Sequence, residues 1–171
     1  SSVIRGIFNQ PTSVVENCCL SGNKHRPVYQ PYSASPDSYT TELVNCTIIN
    51  TQSGTGVYSN GGTYLLTNCI VDSAWGLAAA TPGKGIIEAN FSMVNSTPGS
   101  GGFIGGTGNI PYNPTFLAGG LAGELDPASD GVDAGDNDAA PATDIVGVCR
   151  PSSGTADMGA FEVSDCVASA A

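Results

Sequence analysis

The chain has 171 residues, of which 40% are hydrophobic and 12% are charged, and its formal net charge is −10. This length fits one domain, and the hydrophobic content is sufficient for a packed core. Five basic residues cannot form the cationic stripe that nucleic acid requires, so nucleic-acid binding is excluded. No apolar run has the length of a membrane span, so membrane insertion is not expected, and the first residues do not form a signal peptide.

An internal repeat predicts the architecture of the first two thirds of the chain. Four asparagines, spaced 28, 23 and 22 residues apart, each precede a short strand-like run. They are Asn17, Asn45, Asn68 and Asn90. The residues one and three places after each asparagine are apolar or cysteine, and in a strand they share one face. These pairs, which we predict to point inward, are Cys18 and Leu20, Cys46 and Ile48, Cys69 and Val71, and Phe91 and Met93.

Glycine-, asparagine- and proline-rich turns separate about three short strands in each repeat. A unit of about 22 residues cannot bury its own apolar face, whereas stacked units share a continuous core. The pattern therefore predicts an all-β, parallel β-solenoid of about four to five coils. Asparagine at a recurring corner suits the left-handed conformation, and stacked asparagines can form a hydrogen-bonded ladder. A leucine-rich repeat and a β-sandwich are the alternatives. The low leucine content disfavours the leucine-rich repeat.

Six cysteines, an even number, suggest disulfides if the chain is secreted. A zinc site is not expected, because none of the cysteines forms a C-x-x-C pair. Cys46 and Cys69 occupy the same register in successive coils, so they could form a disulfide or stack as small hydrophobic residues. Cys149 and Cys166 are close in sequence and could close the C-terminal region. Sequons begin at Asn45, Asn90 and Asn95, which makes these three residues candidate glycosylation sites.

The coils contain no identifiable catalytic constellation. Four carboxylates do not recur in one outward register of the repeat, namely Glu16, Glu42, Asp72 and Glu88. The turn Lys24-His25-Arg26 is the best enzymatic candidate, with a solvated loop as the alternative. Aromatic residues that could stack on a glycan are Tyr29, Tyr32, Tyr58, Tyr64 and Trp75, with packing as the alternative role.

Residues 124–165 contain ten carboxylates and one basic residue, Arg150. Such a segment is either a solvated acidic surface or a site for a hard cation. The only cofactor that we consider is therefore calcium. Its candidate ligands are Asp133, Asp136, Asp138 and Asp144.

The C-terminal third carries a more specific pattern, and the chain resembles the right-handed parallel β-helix proteins of secreted and surface-anchored bacterial type. Residues 125–136 (LDPASDGVDAGD), 143–150 (TDIVGVCR) and 157–162 (DMGAFE) are similar, in this order, to the closing segment of that family. Asp130-Gly131 stands where the family usually has Pro-Ala, and Cys149 is an additional cysteine before Arg150.

The resemblance implies a right-handed β-helix over residues 1–112 and a loop-rich acidic C-terminal cap over residues 113–171. In such a cap, we expect Arg150 to form a bidentate ion pair with Asp133, Asp144 or Asp157. We therefore expect an extracellular or cell-surface structural or adhesive protein that self-associates through open coil ends into filaments. The alternative is a polysaccharide-binding or polysaccharide-degrading β-helix protein.

Overall fold

The computed structural model describes residues 12–30, 39–51, 54–73, 77–79, 85–95 and 103–164. These residues form short strands and no helix, so they include no helical segment that could span a membrane. The strands are β1 (Thr12–Glu16), β2 (Cys19–Ser21), β3 (Val28–Gln30), β4 (Thr40–Val44), β5 (Thr47–Thr51), β6 (Val57–Ser59), β7 (Gly62–Thr67), β8 (Ile70–Ser73), β9 (Leu77–Ala79), β10 (Gly85–Asn90), β11 (Met93–Val94) and β12 (Phe103–Gly105).

Strands three places apart in the chain pair with each other in parallel over the first three turns. The first sheet has the order β1-β4-β7-β10-β12, the second β2-β5-β8-β11, and the third β3-β6-β9. Each turn of chain therefore adds a strand to each sheet in succession. The predicted all-β fold with parallel pairing is confirmed, and the topology is compatible with the predicted solenoid.

The core lies inside the turns because burial alternates along the strands. In β7, Tyr64 and Leu66 are fully buried while their neighbours are only half-buried. Parallel in-register pairing places equivalent side chains of successive turns above one another, as for Val28 and Val57. Each fully buried large aliphatic side chain contributes roughly 1.5–3 kcal/mol. The buried members of this core are Leu20, Val28, Leu43, Cys46, Ile48, Val57, Tyr64, Leu66, Cys69, Val71, Ile87, Ala89 and Phe103.

The corner between the first and second sheets is made by the repeated asparagine. Asn17, Asn45 and Asn68 have φ values of 50°, 47° and 54°, each directly after a strand of the first sheet. A left-handed backbone costs most L-residues roughly 1–2 kcal/mol, whereas asparagine tolerates it through local hydrogen bonds. The predicted role of these three residues as corner residues agrees with their backbone geometry.

The sequence alignment of the fourth repeat is wrong by one residue. Asn90 is the last residue of β10 and pairs with Thr67, so the left-handed corner falls on Phe91, whose φ is 46°. Met93 pairs with Ile70 and packs on the outer side of the second sheet. Phe91 and Met93 therefore do not follow the inward pattern of the other repeats. The inward positions of this turn are Ser92, which is buried, and Val94, which packs against the main core.

The C-terminal segment, residues 113–164, lies along the side of the turns and not over their end. Its residues contact the first turn at Cys19, the second at Thr47 and the third at Asn68. With the third and fourth turns it forms a second apolar cluster, whose buried members are Ile70, Met93, Leu125 and Met158. The prediction of an end cap is therefore wrong for these residues. They share a core with the turns because the outer face of the second sheet is apolar.

Candidate functional site

The corner asparagines bind the C-terminal segment with their side chains. Asn17 Nδ2 donates to the Thr143 carbonyl at 2.7 Å. Asn68 Nδ2 donates to the Asp136 carbonyl at 2.9 Å, and Asn68 Oδ1 accepts from the Asp136 backbone N–H at 2.7 Å. Because buried polar groups need hydrogen-bond partners, the side chains of the corner asparagines determine where the C-terminal segment docks.

The predicted asparagine ladder is present between the second and third turns. Asn68 Nδ2 donates to Asn45 Oδ1 at 3.1 Å, and both residues are fully buried. Asn45 Nδ2 in turn donates to the carbonyls of Asp157 and Gly159 at 2.9 Å and 3.2 Å. The ladder thus serves both the stacking of turns and the docking of the C-terminal segment.

Arg150 lies in a buried ionic network. Its Nη1 forms an ion pair with Glu162 Oε2 at 3.0 Å, and the two side chains are 0% and 1% exposed. Arg150 also donates to the carbonyls of Asp157 and Gly159, both at 2.9 Å. The predicted carboxylate partner is wrong, because Glu162 takes the place expected for Asp133, Asp144 or Asp157. A guanidinium so enclosed cannot reach a substrate.

Two aspartates of the same network act as acceptors for backbone N–H groups. Asp144 accepts from Val146 and Val148 through one oxygen and from Glu162 through the other. Asp157 accepts from the N–H groups of Asp133 and Val163. These carboxylates replace the hydrogen bonds that regular strands would supply, so they hold a loop-rich segment in one conformation.

Burial perturbs two ionisable groups of the network. It raises the pKa of Asp157 to about 6, although the two backbone donors oppose the shift. Burial also lowers the pKa of Arg150, and the nearby charge of Glu162 opposes that change. Desolvation disfavours the charged form of each group, which accounts for both directions.

Three of the four candidate calcium ligands accept hydrogen bonds from different donors of the protein. Asp133 accepts from the Ser153 hydroxyl, Asp136 from the Asp138 N–H, and Asp144 from the three N–H groups named above. Among the residues that the structure describes, no group of three or more carboxylates, cysteines or histidines is arranged to hold a metal ion. Calcium at these positions stays a prediction without geometric support.

The inward cysteines form a column of thiols. Cys18, Cys46 and Cys69 occupy equivalent positions in three successive turns, since each precedes one of the paired residues Cys19, Thr47 and Ile70. Cys46 and Cys69 are buried as free thiols, so the predicted disulfide between them is absent and the packing alternative is the one observed. The Cys46 thiol and burial raise the pKa of Cys18. The Cys18 thiol lowers the pKa of Cys46, but the Cys69 thiol and burial outweigh it, so that this pKa is also raised.

The C-terminal cysteines and the sequons have different outcomes. Cys149 is exposed, and Cys166 lies outside the described residues, so a bond between them stays a prediction. Asn45 is fully buried and cannot carry a glycan in the folded protein, which makes this candidate site wrong. The Asn90 amide donates to Glu88, and Asn95 is exposed at the end of the fourth turn.

Two carboxylates do share an outward row, contrary to the expectation from sequence. Glu42 and Glu88 both pair with Leu65, from opposite sides, on the outer face of the first sheet. Their backbones are therefore two strand spacings of about 4.8 Å apart, which is a distance of about 9.6 Å. Irregular turn lengths hid this register, since the two residues are 46 positions apart over two turns.

Aromatic and cationic side chains meet on the outer face of the third sheet. The rings of Tyr29 and Tyr58, paired across β3 and β6, have centroids 5.8 Å apart and an interplanar angle of 22°. The Arg26 guanidinium carbon lies 3.7 Å from the Tyr58 centroid and 5.7 Å from that of Tyr29. Of the other aromatic candidates, Tyr64 is fully buried, and Tyr32 and Trp75 lie outside the described residues.

Sequence reasoning missed the acceptors that connect the C-terminal segment to the turns. Thr47 Oγ1 accepts from the Ala160 N–H at 2.9 Å, and Glu162 also accepts from the N–H groups of Ser152 and Asp157. Glu162 could have been identified as the last residue of the DMGAFE motif at residues 157–162. No signal in the sequence identified Thr47.

Comparison of the chain with protein-family models, with curated proteins and with solved structures found no match.

Proposed function

We propose that the chain is an extracellular structural or adhesive module built as a short right-handed parallel β-helix. The topology of three parallel sheets visited in succession carries this proposal. The charged motifs of the C-terminal segment support it, because their side chains are used in buried structural contacts. Arg150, Asp157 and Glu162 bind one another and the backbone and leave no group directed at a substrate.

The exposed faces of the first sheet supply a surface for adhesion. Val14, Ile86 and Ile104 are 53%, 40% and 49% exposed on its outer side. A sheet face that exposes several apolar side chains can form a contact with another surface. Binding of the purified chain to intact source cells and to immobilised cell-wall material tests adhesion. An antibody against the folded chain that fails to label unpermeabilised cells would contradict the extracellular location.

We also propose that chains associate end to end. Within the described part of the chain, β12 is the last strand of the first sheet and pairs on one side with β10. Beside it lies a cavity of about 230 Å³ lined by Ser92, Val94, Phe103, Gly105, Asn109, Ile110, Pro111 and Tyr112. An edge strand beside an apolar hollow is a template for strand addition. A head-to-tail contact of this kind does not close and produces a filament.

Electron microscopy and light scattering over a wide concentration range test the association. Ile104→Lys places a charge on the terminal strand and should abolish filaments, because charged edge residues block strand addition. Ile86→Lys makes the same change on the same face of an internal strand and should not. A strictly monomeric mass for the unmodified chain, or equal effects of both variants, would contradict end-to-end association.

A second candidate function, polysaccharide cleavage, is favoured by the shared row of Glu42 and Glu88. Their backbone separation of about 9.6 Å lies just above the roughly 6.5–9.5 Å between the carboxyl groups of inverting glycosidases. The matched variants Glu42→Gln and Glu88→Gln should each abolish release of reducing ends from a polysaccharide that the chain cleaves. No release from any of a panel of acidic and neutral polysaccharides would remove this candidate.

A further inference from the structure

The cationic side chains of this acidic protein are concentrated next to its exposed aromatic pair. The whole chain has five lysines and arginines and one histidine, and residues 24–26 contribute three of these six. All three are exposed. Arg26 covers Tyr58 on the third sheet, away from the acidic C-terminal segment that lies on the second sheet.

Arg26 is held in place by an aromatic ring. Its guanidinium carbon lies 3.7 Å from the Tyr58 centroid, which is well within the range of an attractive cation–π contact. Within the described part of the chain, no carboxylate lies within ion-pair distance of Arg26. A guanidinium that lies on a ring directs its N–H donors sideways, where they can bind a carboxylate in a bidentate manner.

The two tyrosines provide a surface beside those donors. Tyr29 and Tyr58 occupy paired positions of β3 and β6, directly after the buried residues Val28 and Val57. Each ring is half-buried, so the strands fix it while part of it stays accessible. Ring faces of this kind pack against the apolar faces of other rings, including those of sugars.

We propose that Arg26, Tyr29 and Tyr58 form a binding site for a carboxylated sugar of an extracellular polysaccharide, that is, for a uronate residue. The sugar carboxylate pairs with the Arg26 guanidinium, and the sugar ring packs on Tyr29. Lys24 adds positive charge beside Arg26, which attracts the polyanion to this face of a protein with net charge −10. The site rests on the proposed adhesive function and names its ligand class.

The test measures binding of the full chain to polygalacturonate by affinity electrophoresis and calorimetry. Tyr58→Ala and Arg26→Gln should each weaken binding at least about tenfold, which corresponds to about 1.4 kcal/mol, because the few residues that dominate a binding site are enriched in tyrosine and arginine. Tyr58→Phe keeps the ring and should retain binding. Lys24→Gln removes the same charge as Arg26→Gln without the ring contact, so it should weaken binding only slightly. Thermal unfolding of each variant checks the fold.

The comparison ligands decide between a specific site and simple charge attraction. A neutral galactan should not bind, and dextran sulfate should bind less tightly than polygalacturonate at equal salt. Equal losses for Arg26→Gln and Lys24→Gln, or tighter binding of dextran sulfate, would overturn the site. Absence of polygalacturonate binding would also overturn it. Adhesion to source cells that persists in Tyr58→Ala would leave the adhesive function standing while this site fails.

Discussion

Replacement of Asn68 tests whether the corner asparagines hold the C-terminal segment. The side chain makes three hydrogen bonds, one with Asn45 at 3.1 Å and two with the backbone of Asp136 at 2.9 Å and 2.7 Å. Each buried bond contributes about 1 kcal/mol net, so their loss costs about 3 kcal/mol. Alanine adds roughly 1–2 kcal/mol because the φ of 54° is left-handed. We expect Asn68→Ala to lower the unfolding free energy by about 4–5 kcal/mol.

Two further variants separate the side chain from the backbone. Asn68→Gly loses the same hydrogen bonds but accepts the left-handed conformation, so it should be more stable than Asn68→Ala by about 1 kcal/mol. Asn90→Ala changes a half-buried asparagine that lacks a positive φ, and should cost only about 1–2 kcal/mol. The Asn90 side chain donates to Glu88 Oε1 and accepts from the Thr107 backbone N–H.

Urea unfolding followed by circular dichroism measures these differences, as a shift of the midpoint at an unchanged slope. The reasoning would be refuted if Asn68→Ala were no less stable than Asn90→Ala. It would also be refuted if Asn68→Gly were less stable than Asn68→Ala, since the backbone term would then have the wrong sign.

Three other predictions concern the buried groups. The pKa of Asp157 is raised to about 6 in the folded state, so its contribution to stability is full below its ordinary pKa of about 3.9 and is lost as the pH rises through about 6. The urea midpoint of unfolding should therefore fall as the pH rises through this window. Asp157→Asn should remove this fall. Gly159→Ala should destabilise far more than Gly154→Ala, because both have positive φ but only the former places a methyl group against neighbouring side chains, at 2.6 Å; equal melting temperatures would contradict this. A thiol reagent followed by peptide mass spectrometry should modify Cys46 and Cys69 only after unfolding, whereas modification of the native protein would show that the column of thiols is accessible.

The repeat was readable from sequence because the strands of successive turns present the same side of the chain to the core. The period-two alternation after Asn17, Asn45 and Asn68 follows directly from strand geometry, and the left-handed corner favours asparagine for a local reason. The fourth repeat was misread because both Asn90 and the residues after it satisfy the same pattern. Only pairing with β7 decides which residue occupies the corner.

The amino-acid sequence by itself therefore determined the all-β class and the parallel pairing of the strands. These features depend on local geometry and hydrophobic periodicity, and both can be read from the order of residues along the chain. The tertiary structure alone decided that the C-terminal segment packs along the side of the turns, that Glu162 pairs with Arg150, and that Arg26 lies on Tyr58. These contacts join residues whose approach depends on turn lengths and strand register, and neither quantity is encoded in any local pattern.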